Sequence, residues 1–165
     1  MSDYSLNQRR RFADEVYKLM KNNPKIVVVT GDLGYRIWDQ VRIGFPDRFF
    51  NVGAAEQLLV GLSVGLALEG KIPIAFSITP FLLYRPFEFI RNFIDHEKIP
   101  VILVGSGRDK DYNHDGFSHW SEEDKKVMRI FENIESFWPL TADEISDRLP
   151  KIIDERQPYY INLKR

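Results

Sequence analysis

Groups that can carry or move a proton are unevenly spread along this chain. All three histidines, His96, His114 and His119, fall in one stretch of the second half of the sequence. Two of them sit in a long polar run, Gly105-Ser-Gly-Arg-Asp-Lys-Asp-Tyr-Asn-His-Asp-Gly-Phe-Ser-His-Trp-Ser-Glu-Glu-Asp, which follows an apolar segment. Polar loops of this length are disproportionately functional, because a rigid frame can present them to a ligand. His114, Asp115 and His119 are too loosely spaced for a zinc site, and a chain without cysteine offers only histidine and carboxylate ligands. A second candidate is Glu56, in Asn51-Val-Gly-Ala-Ala-Glu-Gln-Leu-Leu. The plain reading is an acid in the first turn of a helix, favoured by the helix dipole. A carboxylate opening a buried helix is nevertheless costly without a partner, so it also invites a ligand. The third candidate is Thr79-Pro-Phe-Leu-Leu-Tyr-Arg-Pro-Phe, where Phe81, Tyr84 and Phe87 recur every third residue. Such rings usually belong to a core; the alternative is a wall for a flat heteroaromatic ring. Arg85, inside the same run, reads either as a solvated or ion-paired arginine or as an anion binder.

The elements that must position these residues follow from hydrophobic periodicity. Phe12, Val16, Leu19 and Met20 recur at helical spacing and predict a helix over 7–20. The β-branched run 25–31 predicts a strand buried on both faces. Residues 49–53, 72–78, 100–105 and 159–163 read as further strands, and 83–96, 122–131 and 142–154 as helices. The stretch 55–69, AEQLLVGLSVGLALE, is apolar on nearly every side and predicts a buried helix, with Gly61 and Gly65 on one face. Ser121-Glu-Glu-Asp resembles a helix cap followed by first-turn acids. Strand alternating with helix implies right-handed crossovers and an α/β fold: a three-layer α/β/α domain on a mostly parallel twisted sheet. Ligands on such sheets sit beyond the carboxyl ends of the strands. The segments expected there, 31–36, 53–57, 79–87 and 105–121, hold most of the chemically unusual residues.

Composition narrows the function further. With 165 residues, 44% hydrophobic and 28% charged, the chain is expected to be one globular domain. Its 23 basic and 24 acidic residues leave a net charge of -1, which argues against a strongly basic nucleic-acid binder. No signal-peptide core opens the sequence and no run approaches the ~18 apolar residues of a membrane span, so a soluble, cytoplasmic protein is expected. Gly31-Asp-Leu-Gly34 lacks the third glycine of a dinucleotide fingerprint, and neither a phosphate loop nor a nucleophile elbow is present.

Five collinear segments carry a family resemblance. They are Phe45-Pro-Asp-Arg-Phe-Phe-Asn-Val-Gly-Ala-Ala-Glu-Gln with the glycine-dotted stretch after it, Thr79-Pro-Phe-Leu, Pro100-Val-Ile-Leu-Val-Gly, Asp115-Gly-Phe-Ser-His119, and Met128-Arg-Ile-Phe-Glu-Asn-Ile. Together they resemble the pyrimidine-binding domain of the transketolase superfamily of thiamine-diphosphate-dependent enzymes over nearly the whole chain, roughly 8–165. The resemblance implies that Glu56 hydrogen-bonds N1′ of the cofactor's aminopyrimidine. Sharing a proton there favours the imino tautomer, whose exocyclic nitrogen can then deprotonate thiazolium C2. It further implies that Phe81, Tyr84 and Phe87 form the pyrimidine pocket, with Tyr84 as the stacking ring. His119 would bind the substrate or intermediate, and Asp115 a substrate hydroxyl. Arg165 falls where transketolases have a phosphate-binding arginine, and Arg85 where deoxyxylulose-phosphate synthases place one.

Departures from the family pattern shape the rest of the expectation. These enzymes build each active site from two domains, and the second domain holds the diphosphate through Mg²⁺ with a Gly-Asp-Gly run. Here Gly31-Asp-Leu-Gly34 has leucine at the third place and belongs to the pyrimidine-domain pattern. Residues 1–165 are therefore expected to form a single pyrimidine-binding domain, with the diphosphate-binding and C-terminal domains absent. The Mg²⁺ ligands are expected on a separate diphosphate-binding subunit, in an α2β2 assembly. His119-Trp120 replaces the family's His-Gln, and Arg108, Asp109, Lys110 and Asp111 charge a loop that is elsewhere apolar and glycine-rich, so a modified substrate is implied. The reading is a split transketolase-like enzyme that moves a two-carbon ketol unit from a ketose to an aldose, between sugars or sugar derivatives, phosphorylated or nucleotide-linked forms included. The alternatives are a subunit like deoxyxylulose-phosphate synthase or a 2-oxoacid dehydrogenase β-chain, a non-catalytic regulatory relic of the fold, and an unrelated flavodoxin-like domain.

Overall fold

The β-branched run at the start of the chain forms strand β1 (Ile26–Thr30), with every residue buried, in a computed structural model that describes residues 7–165. Five more strands join it: β2 (Phe49–Asn51), β3 (Ile72–Ile78), β4 (Ile102–Ser106), β5 (Glu135–Phe137) and β6 (Tyr159–Leu163). They make one sheet in the order β2-β1-β3-β4-β6-β5, and every neighbouring pair is parallel. Thr30 lies opposite Asn51 and Phe76, Ile78 opposite Ser106, and Ser106 opposite Leu163. Five strand ends thus line up along one carboxyl edge. The chain leaves β1 toward β2 and returns to the other side of β1 at β3, so the sheet's topological switch point lies between β1 and β3.

Alternation along the strands sends side chains to two cores. Ile26, Val28, Ile74, Phe76, Val104 and Ile161 meet α1 (Gln8–Asn22) and α7 (Asp143–Glu155) through Phe12, Val16, Met20, Ile145, Leu149 and Ile152. Val29, Ala75, Leu103 and Tyr160 meet α3 (Glu56–Leu68) and the segment after β3 through Leu59, Val60, Val64, Leu82, Leu83, Ile90 and Ile94. The layered α/β/α architecture is the one the alternating pattern implies. Among the described residues, no helix is long and apolar enough to cross a membrane.

Several local expectations are corrected. The helix expected over 83–96 begins at Thr79, directly after β3, as α4 (Thr79–Tyr84). Pro86, which has no N–H to donate, interrupts it; a short turn α5 (Phe87–Phe89) and a π-helical turn (Ile90–His96) follow. Ser121 does not cap a helix. It is buried, its hydroxyl donates to the Gly107 carbonyl at 2.9 Å, and α6 (Asp124–Met128) starts three residues later without a side-chain cap. The apolar helix α3 is only half covered: Leu58 is 56% and Leu68 70% exposed, because a sheet can cover only one side of a helix that is apolar all round. The short elements α2 (Asp39–Gly44) and β5 are not anticipated by periodicity.

Candidate active site

Glu56 is the first residue of α3, the crossover that returns the chain to the sheet past the switch point. Only 4% of it is exposed. Its Oε2 accepts a hydrogen bond from Arg85 Nη1 at 2.9 Å, and its Oε1 lies at a long 3.5 Å from the Ser77 hydroxyl on β3. The Arg85 guanidinium in turn lies over the Phe81 ring, 3.8 Å from its centroid. Phe81 meets the imidazole of His119 edge to face, with centroids 4.8 Å apart. A carboxylate, a cation, an aromatic face and an imidazole therefore form one continuous chain of contacts at the carboxyl edge.

His119 reaches this position through a tightly folded loop. Two 3₁₀ turns, Asn113–Asp115 and Phe117–His119, are joined at Gly116, whose φ of 84° and ψ of -177° only glycine adopts without strain. The loop stands on a buried polar floor. Asn162 donates to Thr79 Oγ1 at 3.2 Å and to Tyr160 Oη at 3.1 Å, while its carbonyl oxygen accepts from Arg108 Nε at 3.0 Å. Arg108 also donates to the main-chain carbonyls of Pro139, at 3.0 Å, and of Asn162, and its burial pulls its pKa down. Thr79 Oγ1 donates to the Gly107 carbonyl at 2.7 Å. Gly105 permits this: a Cβ there would lie 2.5 Å from Thr79 Oγ1. Asp124, 4% exposed, completes the floor by accepting from Trp138 Nε1 at 2.7 Å and from Tyr160 Oη at 3.0 Å. Burial first, and the neighbouring Asp124 charge second, push the Tyr160 phenol well above its ordinary pKa.

Beyond His119 the loop carries a cationic cluster around Tyr112. Tyr112 and His119 have ring centroids 6.1 Å apart. Arg9 Nη1 donates to the Tyr112 oxygen at 3.1 Å, and the Arg165 guanidinium lies 5.0 Å from the Tyr112 ring centroid. Arg165 Nη1 is 3.5 Å from His114 Nε2, which is itself 3.3 Å from an Asp115 carboxylate oxygen. The Arg9 Nε is buried without a hydrogen-bond partner. Neither Arg9 nor Tyr112 stands out in the sequence: one sits among three consecutive arginines on α1, the other in a run of mixed polar residues. Among the described residues no group of three histidine, aspartate or glutamate side chains could hold a metal ion.

The nominated residues divide accordingly. Glu56, Arg85, Phe81 and His119 come together, and Asp115 and Arg165 lie on the adjoining loop cluster. Tyr84 and Phe87 do not make the expected three-ring wall with Phe81. α4 ends at Tyr84, whose hydroxyl donates to Glu123 at 3.0 Å, and Phe87 packs on Phe131 in the core. Burial, followed by that hydrogen bond, pushes the Tyr84 phenol up to about 12.

Known proteins supply an independent comparison. The family model described as "Transketolase, pyrimidine binding domain" matches residues 5–165. The chain is 38% identical over 119 residues to an apulose-4-phosphate transketolase subunit of Actinobacillus succinogenes, covering 72% of this chain and 38% of that one. It is 27% identical to the 6-deoxy-6-sulfo-D-fructose transketolase subunit SqwH of a Clostridium species, covering 95% of this chain and 49% of the relative. Among solved structures it resembles a "split gene transketolase, inactive beta4 tetramer" with a TM-score of 0.85 and 34% identity, over 97% of this chain and 51% of that one. The chain spans about half, or less, of the length of each of these proteins. On the strength of the family match and the shared fold, the chain belongs to the transketolase pyrimidine-binding-domain family.

Proposed function

We propose that this chain provides the aminopyrimidine-binding half of a thiamine-diphosphate-dependent ketol transferase. One observation carries the reading: a nearly buried carboxylate, Glu56, opens a helix at the sheet's switch point and is joined through Arg85 to the aromatic face of Phe81, which in turn meets the imidazole of His119. The residues fit an aminopyrimidine, whose ring nitrogen needs a carboxyl with which to share a proton in a poorly hydrated place and a flat apolar surface beside it. When bound, the cofactor supplies a carbanion equivalent that the side chains of a protein cannot generate. Glu56 would share one proton with the ring nitrogen; its low exposure strengthens that hydrogen bond because little water competes for it. Phe81 provides the face on which the ring rests, with Tyr84 at the rim and Phe87 supporting the segment from the core.

The loop residues handle the substrate. His119 has its Nδ1 3.0 Å from the Ser118 hydroxyl, which leaves Nε2 to hydrogen-bond a substrate oxygen. Asp115 accepts from a substrate hydroxyl. Arg165, together with Arg9 at Tyr112, attracts an anionic end such as a phosphate, and Arg85 is a second anion-binding group when it is not engaged with Glu56. The substrates proposed are sugars or sugar phosphates, between which a two-carbon ketol unit is moved.

The diphosphate and its Mg²⁺ are assigned to a separate subunit in an α2β2 assembly. The names of the relatives, subunits of transketolases and a split-gene transketolase, support a divided enzyme. The test is co-purification with a diphosphate-binding partner, followed by cofactor titration and turnover. Mg²⁺-dependent binding by the pair, little binding by this chain alone, and ketol transfer between sugars are expected. A pair that binds thiamine diphosphate but uses pyruvate and not a ketose as donor would place the chain with the synthase-type enzymes instead.

A further inference from the structure

The contact between Glu56 and Arg85 has an unusual form. A guanidinium is planar, donates N–H groups in its plane and is attracted to the face of an aromatic ring. Arg85 uses both properties at once: Nη1 donates to Glu56 at 2.9 Å while the guanidinium lies over Phe81 at 3.8 Å. A planar group whose in-plane nitrogen shares a proton with Glu56, with an aromatic face against Phe81, is also what the proposed function requires of an aminopyrimidine, whose imino tautomer carries the ring N–H. The arginine is weakly tethered there. Its side chain is 48% exposed, and among the described residues it makes no other hydrogen bond or ion pair. Glu56, in contrast, is almost wholly buried and has only the long Ser77 contact besides.

We propose that Arg85 is an internal stand-in for the cofactor's ring: in the free chain it occupies the carboxylate and the aromatic face, and cofactor binding displaces it toward solvent. The proposal rests on the reading of Glu56 and Phe81 given above. It explains how a carboxylate can stay buried in a chain without cofactor, since an unpaired one would be costly. It also sets a threshold, because the cofactor gains only the difference between its own contacts and those of Arg85. The apparent affinity is the intrinsic one multiplied by the fraction of chains with Arg85 released. A half-exposed ion pair and a cation–π contact each contribute modestly, so the released state is the minor one by a factor of about five to ten.

The experiment uses the chain assembled with its diphosphate-binding partner, titrated with thiamine diphosphate at fixed Mg²⁺ and followed by tryptophan fluorescence. Arg85→Met is expected to bind about fivefold to tenfold more tightly than the unchanged protein. If Arg85 instead remains bound to Glu56 and supports the cofactor, the same variant binds more weakly; weaker or unchanged binding overturns the proposal. A second measurement needs no variant. In protein labelled with ¹⁵N arginine, the Arg85 Nε–H resonance, shifted by the Phe81 ring current, should move to the position of a solvated arginine when cofactor is added. A resonance that stays in place while the cofactor binds also overturns it. Failure of the underlying functional reading looks different: the unchanged assembly and Arg85→Met would then both show no cofactor binding.

Discussion

Two carboxylates in this domain are equally hidden from water and are held in opposite ways. Glu56 and Asp124 are each 4% exposed. Asp124 takes two short hydrogen bonds on one oxygen, from Trp138 at 2.7 Å and Tyr160 at 3.0 Å, and Tyr160 is itself wholly buried. Tyr160 cannot leave without opening the core, and Trp138 is half-buried against it. Glu56 is held by the tip of a long, half-exposed arginine and by a hydroxyl at 3.5 Å. Similar burial therefore serves different ends. The doubly bonded carboxylate ties α6 to β6 and to Trp138 beneath the loop, and the loosely held one has an exchangeable partner that a ligand could replace.

That contrast can be broken by substitution. The largest effect is expected for Glu56→Ala in the assembled protein: ketol transfer falls by about 10²–10⁴, the scale of a lost proton-transfer group. Stability should change by less than about 1 kcal/mol in urea denaturation, because the half-exposed Arg85 rehydrates. Asp124→Ala should do the reverse. It leaves the buried Tyr160 O–H and the half-buried Trp138 N–H without their acceptor, and a loss of about 2 kcal/mol in denaturant stability is expected. Tyr160→Phe removes one of the two donors to Asp124 and should cost about 1 kcal/mol by the same measurement.

The smallest effect concerns Tyr84, whose neutral phenol donates to Glu123 and whose pKa is pushed from 10.0 up to about 12. A raised folded-state pKa means that this interaction stabilises the protein fully below pH 10 and is lost as the pH rises through about 12. A spectrophotometric titration should therefore show one late-ionising tyrosine fewer in Tyr84→Phe. An identical late phase in both proteins would remove Tyr84 from the set of raised phenols.

The frame is readable from the chain because it depends on local periodicity. The β-branched run of β1 and the helical spacing of Phe12, Val16 and Met20 identify a buried strand and an amphipathic helix without any long-range information. Residue type nominates the members of the site, but it does not group them. Glu56 and Arg85 are 29 positions apart, and no pattern in sequence pairs a helix-opening acid with an arginine beyond a strand. The regular spacing of Phe81, Tyr84 and Phe87 suggests one face, yet Pro86 ends the helix before the third ring and turns it into the core. Strand β5 escapes detection for a simpler reason: three residues, one of them an exposed glutamate, carry no alternation to detect. Arg9 and Tyr112 meet across 103 positions and are invisible for the same reason as the Glu56–Arg85 pair.

The role of Glu56 is tested most directly by hydrogen–deuterium exchange at thiazolium C2 of thiamine diphosphate bound to the assembled protein, with Glu56→Gln beside the unchanged chain. Glutamine keeps the shape and a hydrogen bond but cannot share the proton. Exchange slowed by about 10²–10⁴, with cofactor still bound, is the expected result. Exchange at the unchanged rate in Glu56→Gln would show that this carboxyl does not activate the cofactor.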